Sequence, residues 1–401
     1  MAEILKPESE DQVLEAVQWA VSNKNALEII GQGTKRGLGC PVVAKAVLEM
    51  SALNGITLYE PEELVMTAKA GTPIAEVEAA LDDANQMLAF EPWSPKYMYG
   101  CAGGTVGGVF AANLSGPRRP LVGAARDHML GFQAISGRGE RFKSGGRVVK
   151  NVTGFDLTKL MAGSMGTLGV MTEVSFKVLP KPEKSRTVLL IGATSAHRAM
   201  IAAQCSAYEV SAVAHLPHDI VGRSSVDYVK NAGADVTAVR IEGPAPSVTV
   251  RCQALRDVLA PLGGAVEELH SSNTQTLWAE IRDLSYFTDK KQIWRLSVTP
   301  SEGQALAEAL AGEYILDWAG GLIWLALDPS DDAQASRVRG AFTNGHATCI
   351  RAADSVRAKI DVFQPHAAAL AALDGRVRAG FDPHGLLNPG RMGRGQNGNA
   401  L

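Results

Sequence analysis

Glycine is concentrated in this chain: 16 of its 41 glycines fall within the 70 residues from Gly100 to Gly169. The stretch TGFDLTKLMAGSMGTLG, residues 153–169, shows what that demands. Thr153 and Asp156 have capping-box spacing, and Leu157, Leu160 and Met161 stand at i, i+3 and i+4, so the stretch opens as a short amphipathic helix. It then places Gly163, Gly166 and Gly169 within seven residues, directly before VMTEVSFKVLP. There Val170, Thr172, Val174, Phe176 and Val178 alternate as in a strand. A turn alone needs one or two glycines. Three imply that bare backbone approaches something closely or takes positive φ repeatedly.

Two further loops share this texture. GQGTKRGLG, residues 31–39, follows the strand-like ALEIIG. A nicotinamide-type Rossmann fingerprint would need glycine where Arg36 stands and an amphipathic helix afterwards, but CPVVAKAVLEM carries Pro41 and reads as extended. What is left is either a flexible surface connection or a nest of amides for an anion such as a diphosphate, assisted by Thr34 and Lys35. The loop of residues 100–113, GCAGGTVGGVFAAN, pairs two glycine doublets around Thr105 and Val106. Packing of a helix on a strand accounts for one doublet, close approach of backbone to a ligand for both.

The chain's 401 residues fit two domains. With 20% charged residues and a net charge of −3, it has none of the basic excess of a nucleic-acid or membrane-surface binder. The five cysteines are scattered without a CxxC pair, which points to a reducing cytoplasm and to no metal or iron–sulfur site in this chain. The segment LPKPEKSR, residues 179–186, reads as a linker. Before it, helices are expected in SEDQVLEAVQWAVSN and PIAEVEAALDDA, and strands in ALEIIG, LVMTAKAG and GFQAISG. After it, RTVLLIGA, TAVRIEG, KQIWRLSV and GLIWLAL read as strands, with helices from about Ser195, near Gln253–Leu259 and from Ser301, an α+β layer with helices on a sheet. His215 and His218 in HLPHD read as loop residues, and Arg118 and Arg119 in SGPRRP as a solvated loop or a site for an anionic substrate or a docking partner.

In their order, GQGTKRGLG, FEPWSPKYMYGCAGGTVGGVFAANLSG, NVTGFDLTKLMAGSMGTLGVMTEVSFKVLP and FDPHGLLNPGRM resemble the FAD-binding proteins of the vanillyl-alcohol oxidase and p-cresol methylhydroxylase superfamily. Within it, the chain is most similar to the FAD-linked 2-hydroxyacid dehydrogenases, and among these to the FAD-binding subunits of bacterial glycolate oxidases. The resemblance implies an α+β fold: a two-subdomain PCMH-type FAD-binding domain over residues 1–183, an α+β cap domain with an antiparallel sheet over 184–378, and a tail, 379–401, that returns to the FAD domain. It implies diphosphate contacts from Gly31, Gln32, Gly33, Thr34 and Lys35, with Gly37 maintaining the loop. Pro92 matches a position beside the cofactor. Gly104, Thr105, Gly107, Gly108, Ala111 and Asn113 match the segment passing the flavin and diphosphate, and Gly166, Thr167, Gly169 and Val170 the segment cradling the ribityl-adenine side. Arg391 is the arginine expected to bind the cofactor or a substrate carboxylate.

The resemblance further implies glycolate oxidation in a complex with a second FAD-binding subunit and an iron–sulfur subunit, the complex being cytoplasmic or held at the inner face of the membrane by those partners. Two alternatives are a self-sufficient FAD-dependent 2-hydroxyacid dehydrogenase and a structural subunit whose FAD does not turn over. The chain departs from complete relatives in lacking their histidine-rich metal site, in carrying Met165 where an acidic residue is common, and in Phe155 for a frequent tyrosine. The catalytic base is therefore left unassigned. Since the loops also lack the histidine or cysteine spacing of covalently linked relatives, noncovalent FAD is expected.

Overall fold

The computed structural model describes residues 3–147, 154–287 and 291–393. The chain forms two compact units, one of Met1–Ser115, Gly123–Pro180 and Asp361–Leu401, the other of Gly116–Val122 and Lys181–Ile360. These limits differ from the sequence-based 1–183, 184–378 and 379–401, for identifiable reasons. Leu179 and Pro180 still pair with Met87 and Gln86. The helix Ala368–Phe381 sets Val377 and Phe381 against the core of the first unit. Arg118 leaves the first unit to pair with Glu242 in the second.

The first unit begins with β1 (Glu3–Leu5), α1 (Glu10–Asn23), β2 (Leu27–Ile30) and β3 (Ala46–Glu49). The strands form a parallel sheet in the order β1-β3-β2. Ser9 caps α1 by accepting from the Gln12 amide at 3.3 Å, while Gln12 Oε1 accepts from the amide of Glu8, one residue before the partner a standard capping box would use. Val13, Val17 and Ala20 of α1 are fully buried against Leu27 and Leu48. Each buried valine or leucine contributes about 1.5–3 kcal/mol, which fixes the strand that leads into the first glycine loop.

There follow β4 (Ile56–Glu60), β5 (Val65–Lys69), α2 (Ile74–Asp83), α3 (Val106–Ala112), β6 (Met129–Ile135), β7 (Arg141–Gly145) and β8 (Val170–Lys177). The strands make an antiparallel sheet in the order β4-β5-β8-β6-β7. Phe90, Phe110, Phe176 and Met161 fill its core. The helix expected in the third glycine stretch is Leu157–Met161, capped by Asp156, whose carboxylate accepts from the Lys159 amide at 3.3 Å. Thr153, the other half of the proposed capping box, lies outside the described residues.

The second unit contains β9 (Lys184–Ile191), α4 (Ala196–Gln204), β10 (Val210–Leu216), β11 (Val236–Gly243), α5 (Ala245–Leu259), β12 (Ala265–His270), α6 (Ser271–Asp283), β13 (Gln292–Ser297), β14 (Glu313–Asp317), β15 (Leu322–Leu327) and β16 (His346–Arg351). Its strands form one antiparallel sheet in the order β12-β9-β11-β10-β14-β15-β13-β16. Helices α4, α5 and α6 pack against β9, β10 and β11.

Two sequence expectations are corrected here. His215 is not a loop residue: it is buried in β10, with Nδ1 3.0 Å from Thr237 Oγ1 and Nε2 3.8 Å from Asp235. His218 opens a short helix, His218–Val221. Nor is SGPRRP a solvated loop. Arg118 is buried and donates twice to Glu242 at 2.9 Å, and Arg119 lies over the Trp318 ring. Among the described residues no helix is long and apolar enough to cross a membrane.

Candidate functional site: a glycine-walled cleft in the first unit

The three glycine loops meet because each is tied to another by a specific backbone contact. The first loop leaves β2 at Gly31. A Cβ there would lie 2.2 Å from Thr105 Oγ1, so glycine is required for the first loop to reach the second. Gln32 Oε1 accepts from the Gly104 amide at 2.8 Å, a second tie between the same loops. Gly107 donates to the Ala70 carbonyl at 2.8 Å, and a Cβ on it would sit 2.9 Å from that alanine's own Cβ, so α3 begins hard against the end of β5. The third loop edges onto the other end of α3, where Gly163 and Met165 donate to the carbonyls of Phe110 and Ala111, both at 3.0 Å.

The tail closes the arrangement. Leu27 donates to Leu386 at 2.8 Å, and Asn388 Oδ1 accepts from the Ile29 amide at 2.7 Å. Asn388 Nδ2 donates to the Met165 carbonyl at 2.7 Å, so one buried side chain joins β2 to the third loop. Beyond it, the Arg391 guanidinium donates to the Lys35 carbonyl at 2.9 Å, and the Cys40 amide donates to the Arg391 carbonyl at 2.9 Å.

Together these elements line one open cleft. Gly31, Gln32, Gly33, Thr34 and Lys35 line it from the first loop. Thr105, Gly107, Gly108 and Ala111 line it from the second loop and α3, Gly166 and Gly169 from the third, and Arg391 from the tail.

Six residues named from sequence do not line the cleft. Gly37 packs under the Tyr99 ring, where a Cβ would come within 2.6 Å. Gly104, at φ +138°, spends its amide on Gln32. Pro92 is buried elsewhere in the unit. Asn113 ends α3 at φ +50° and accepts from the Arg126 amide. Thr167 donates to Ser164 within its own loop at 2.7 Å, and Val170 is buried in the core beneath α1.

Sequence reasoning missed Ile29, Ile30, Met50, Ala70, Met171 and Asn388, which also line the cleft, as do Arg36, Ala112 and Met165. The apolar members carry no local signal, since core and cleft positions of a strand look alike. The Asn388-Pro389 pair is itself a turn signal that marks the tail's bend.

Lys35, Arg36 and Arg391 are the charged residues of this lining, and no acidic side chain belongs to it among the described residues. Burial of its ammonium pushes Lys35 down to about 8, with the nearby Cys101 thiol acting in the opposite direction. Cys101 is half-buried, with its Sγ 3.4 Å from the Thr34 carbonyl. Arg36 is already paired with the Glu28 carboxylate, its Nε and Nη2 donating to the two oxygens. A glycine-walled cleft with a lysine in its lining suits an extended anionic ligand: the missing side chains let it lie against backbone, and Lys35 offsets its charge.

The comparisons with known proteins agree with that chemistry. Residues 1–145 match the family described as FAD binding domain. The chain is 38% identical to glycolate oxidase subunit GlcE of Escherichia coli (strain K12) over 382 residues, covering 95% of this chain and 96% of that one. It is 29% identical over 189 residues to glycolate oxidase subunit GlcD of Bacillus subtilis (strain 168), covering 47% of this chain and 39% of GlcD. The fold is shared with p-cresol methylhydroxylase in its substrate-bound crystal structure, at a TM-score of 0.71 and 14% identity, covering 99% of this chain and 90% of that one. Carried by a likeness that runs nearly end to end, the chain belongs to the family of glycolate oxidase subunit GlcE.

Proposed function

We propose that this chain is the FAD-binding subunit of a glycolate oxidase, acting with a second flavin subunit and an iron–sulfur subunit to oxidise glycolate to glyoxylate. The observation that carries the reading is the cleft itself: three glycine loops and the tail converge on it, in a chain that matches GlcE along 96% of that protein's length. The first loop holds the diphosphate of FAD through its amides and Lys35. Gly107, Gly108 and Ala111 give the ring system a wall without long side chains, and Gly166 and Gly169 do so for the ribityl-adenine side. Arg391 shapes the first loop through the Lys35 carbonyl while its charge faces the same cleft. Bound there, FAD supplies a two-electron acceptor for oxidation of a CH–OH group.

Among the described residues the lining contains no histidine or cysteine, which fits noncovalent attachment; the catalytic base is unassigned. On this reading the complex works in the cytoplasm, either free or held at the inner face of the membrane by its partner subunits. The decisive experiment compares the purified chain with the chain co-purified with its subunits. Acid precipitation should release all yellow colour into the supernatant. Glycolate-dependent dye reduction should be negligible for the chain alone and appear with the partners. Turnover by the chain alone at about 1–1,000 per second would replace the subunit reading with that of a self-sufficient dehydrogenase.

A further inference from the structure

Side chains cross between the first two glycine loops in both directions, and two of them are a thiol and an amine. Cys101 of the second loop donates from its Sγ to the Thr34 carbonyl of the first at 3.4 Å. Lys35, the residue after Thr34, sends its Nζ the other way, to 3.2 Å from the point where a Cβ on Gly104 would stand. Across a trans peptide the Thr34 carbonyl oxygen is about 3 Å from the Cα of Lys35, so Sγ lies within about 6 Å of the root of the lysine side chain. A lysine reaches about 6 Å from its own Cα, so a change of rotamer suffices to bring Nζ against Sγ.

The amine is not committed elsewhere. The Lys35 ammonium is buried, nothing among the described residues accepts a hydrogen bond from it, and the neighbour that acts on its charge is Cys101. Both groups are within reach of small solutes: Lys35 lines the open cleft, and Cys101 is only half-buried. Cys40, Cys252 and Cys349, by contrast, are buried. An amine attacks only as the free base, and burial, which pushes Lys35 down to about 8, leaves roughly a tenth of it in that form at pH 7. A thiol that a small oxidant can reach, with a second nucleophile beside it, is the arrangement that turns reversible oxidation into a cross-link.

We propose that Cys101 and Lys35 form an oxidative modification site, at which hydrogen peroxide converts the thiol to a sulfenic acid and the amine captures it as a sulfenamide. In the first step the O–O bond of peroxide breaks, an S–O bond forms at Cys101 and one water leaves. In the second, the Lys35 lone pair attacks sulfur, the S–N bond forms as the S–O bond breaks, and the departing hydroxide takes a proton from the amine as a second water. One peroxide is reduced to two waters, and the chain loses two hydrogens. The bond staples the first loop to the second and removes the lysine's charge from the cleft. Its formation does not depend on the flavin reading. Its consequence does: if Lys35 meets the diphosphate of FAD, stapling weakens flavin binding.

The test treats the flavin-stripped full chain with hydrogen peroxide and maps its peptides by mass spectrometry. The expected product joins the Cys101 and Lys35 peptides, is lighter than their sum by two hydrogens, and is reversed by a thiol reductant. Cys101→Ser should abolish it. Lys35→Arg, which keeps the charge and loses the amine, should also abolish it while Cys101 passes on to sulfinic acid. Circular dichroism confirms that each variant is folded, and the parent protein decides the matter if one is not. Cys205, the exposed cysteine, is the internal control and should oxidise without a cross-link. Three results overturn the proposal: Cys101 over-oxidised in the parent protein with no cross-link, Cys101 left unoxidised where Cys205 is fully oxidised, or a Cys101 cross-link that persists in Lys35→Arg. A titration of stapled and reduced chain with FAD then reads the consequence. Stapling should weaken binding by about 10- to 100-fold, the range for losing a hydrogen bond to a charged partner. A staple that forms and leaves flavin affinity unchanged would count against the flavin reading of Lys35 alone.

Discussion

Replacing Asn388 with alanine tests whether the tail builds the cleft or merely lies beside it. The side chain accepts from the Ile29 amide at 2.7 Å and donates to the Met165 carbonyl at 2.7 Å, and Asn388 is buried. Alanine leaves both backbone groups without these partners in a site too enclosed to rehydrate freely, at about 1–3 kcal/mol for each. Asn388 also sits at φ +46°, where asparagine is tolerated and alanine costs about 1 kcal/mol more. The expected loss is therefore about 3–7 kcal/mol in the first unit, with weaker flavin retention because Ile29 and Met165 both line the cleft. Asn388→Gly removes the φ term and keeps the hydrogen-bond loss, so it should be more stable than Asn388→Ala by about 1 kcal/mol. Urea unfolding of both variants measures the difference, and amide hydrogen exchange at Ile29 localises it. A loss below about 1 kcal/mol for Asn388→Ala, with Ile29 as protected as before, would refute the reasoning.

Two glycines should separate folding from binding. Gly31→Ala drives a methyl into Thr105 Oγ1 at 2.2 Å and should cost about 1–3 kcal/mol of stability as overpacking. A Cβ on Gly108 would meet only Thr105 Oγ1, at 3.3 Å, and Gly108 is helical, so Gly108→Ala should change stability by less than about 1 kcal/mol, while the γ-methyls of Gly108→Val add bulk towards the cleft. Purified Gly108→Val should nevertheless lose its flavin, measured from the absorbance ratio; full flavin content would show that the cleft is not the cofactor site. Lys35, held down to about 8, gives two opposite pH trends. Above pH 8 a diphosphate must recruit a proton to this amine, so flavin affinity should fall as pH rises. Unfolding restores the ordinary lysine value, so this group's contribution to stability should rise from pH 8 to about 10. Lys35→Met should flatten both trends, and an unchanged pH profile of flavin affinity would count against Lys35 as the diphosphate's partner. His215, pushed down to about 4 by burial against the pull of Asp235, is neutral in the folded chain and takes up a proton more readily when unfolded. Stability should therefore be full above about pH 6.5 and decline towards pH 4. His215→Gln should remove that part of the acid sensitivity in urea titrations at several pH values.

The glycine loops were legible because close backbone approach leaves a mark in composition. The Cβ positions at Gly31 and Gly107 show that those marks were steric requirements. What stayed hidden depends on contacts distant in sequence. Asn388 finds its partners more than two hundred residues away, and Ala70 and Met171 look like any buried strand residues. Strand β10 was passed over because every residue from Val210 to Leu216 is buried, and a strand covered on both faces shows no alternation. The sequence marks α5 only near Gln253–Leu259, whereas the helix begins at Ala245. Proline, serine, threonine and valine in its first turns conceal it from propensity while remaining compatible with a helix start.

The same contacts bear on why a chain with so little acid–base equipment keeps its cleft intact. Thr105 illustrates the economy of the wall: its Oγ1 accepts from the Gly108 amide while filling the space that a side chain on Gly31 would take. The tail links the loops that it touches, since Asn388 bonds β2 and the third loop and Arg391 bonds the first. Under the proposed function, cofactor affinity and tail docking are coupled, because residues 386–391 bond the strand and loops that line the cleft. A partner subunit that bound the tail in this conformation would tighten flavin without touching it, and one that drew the tail away would release it.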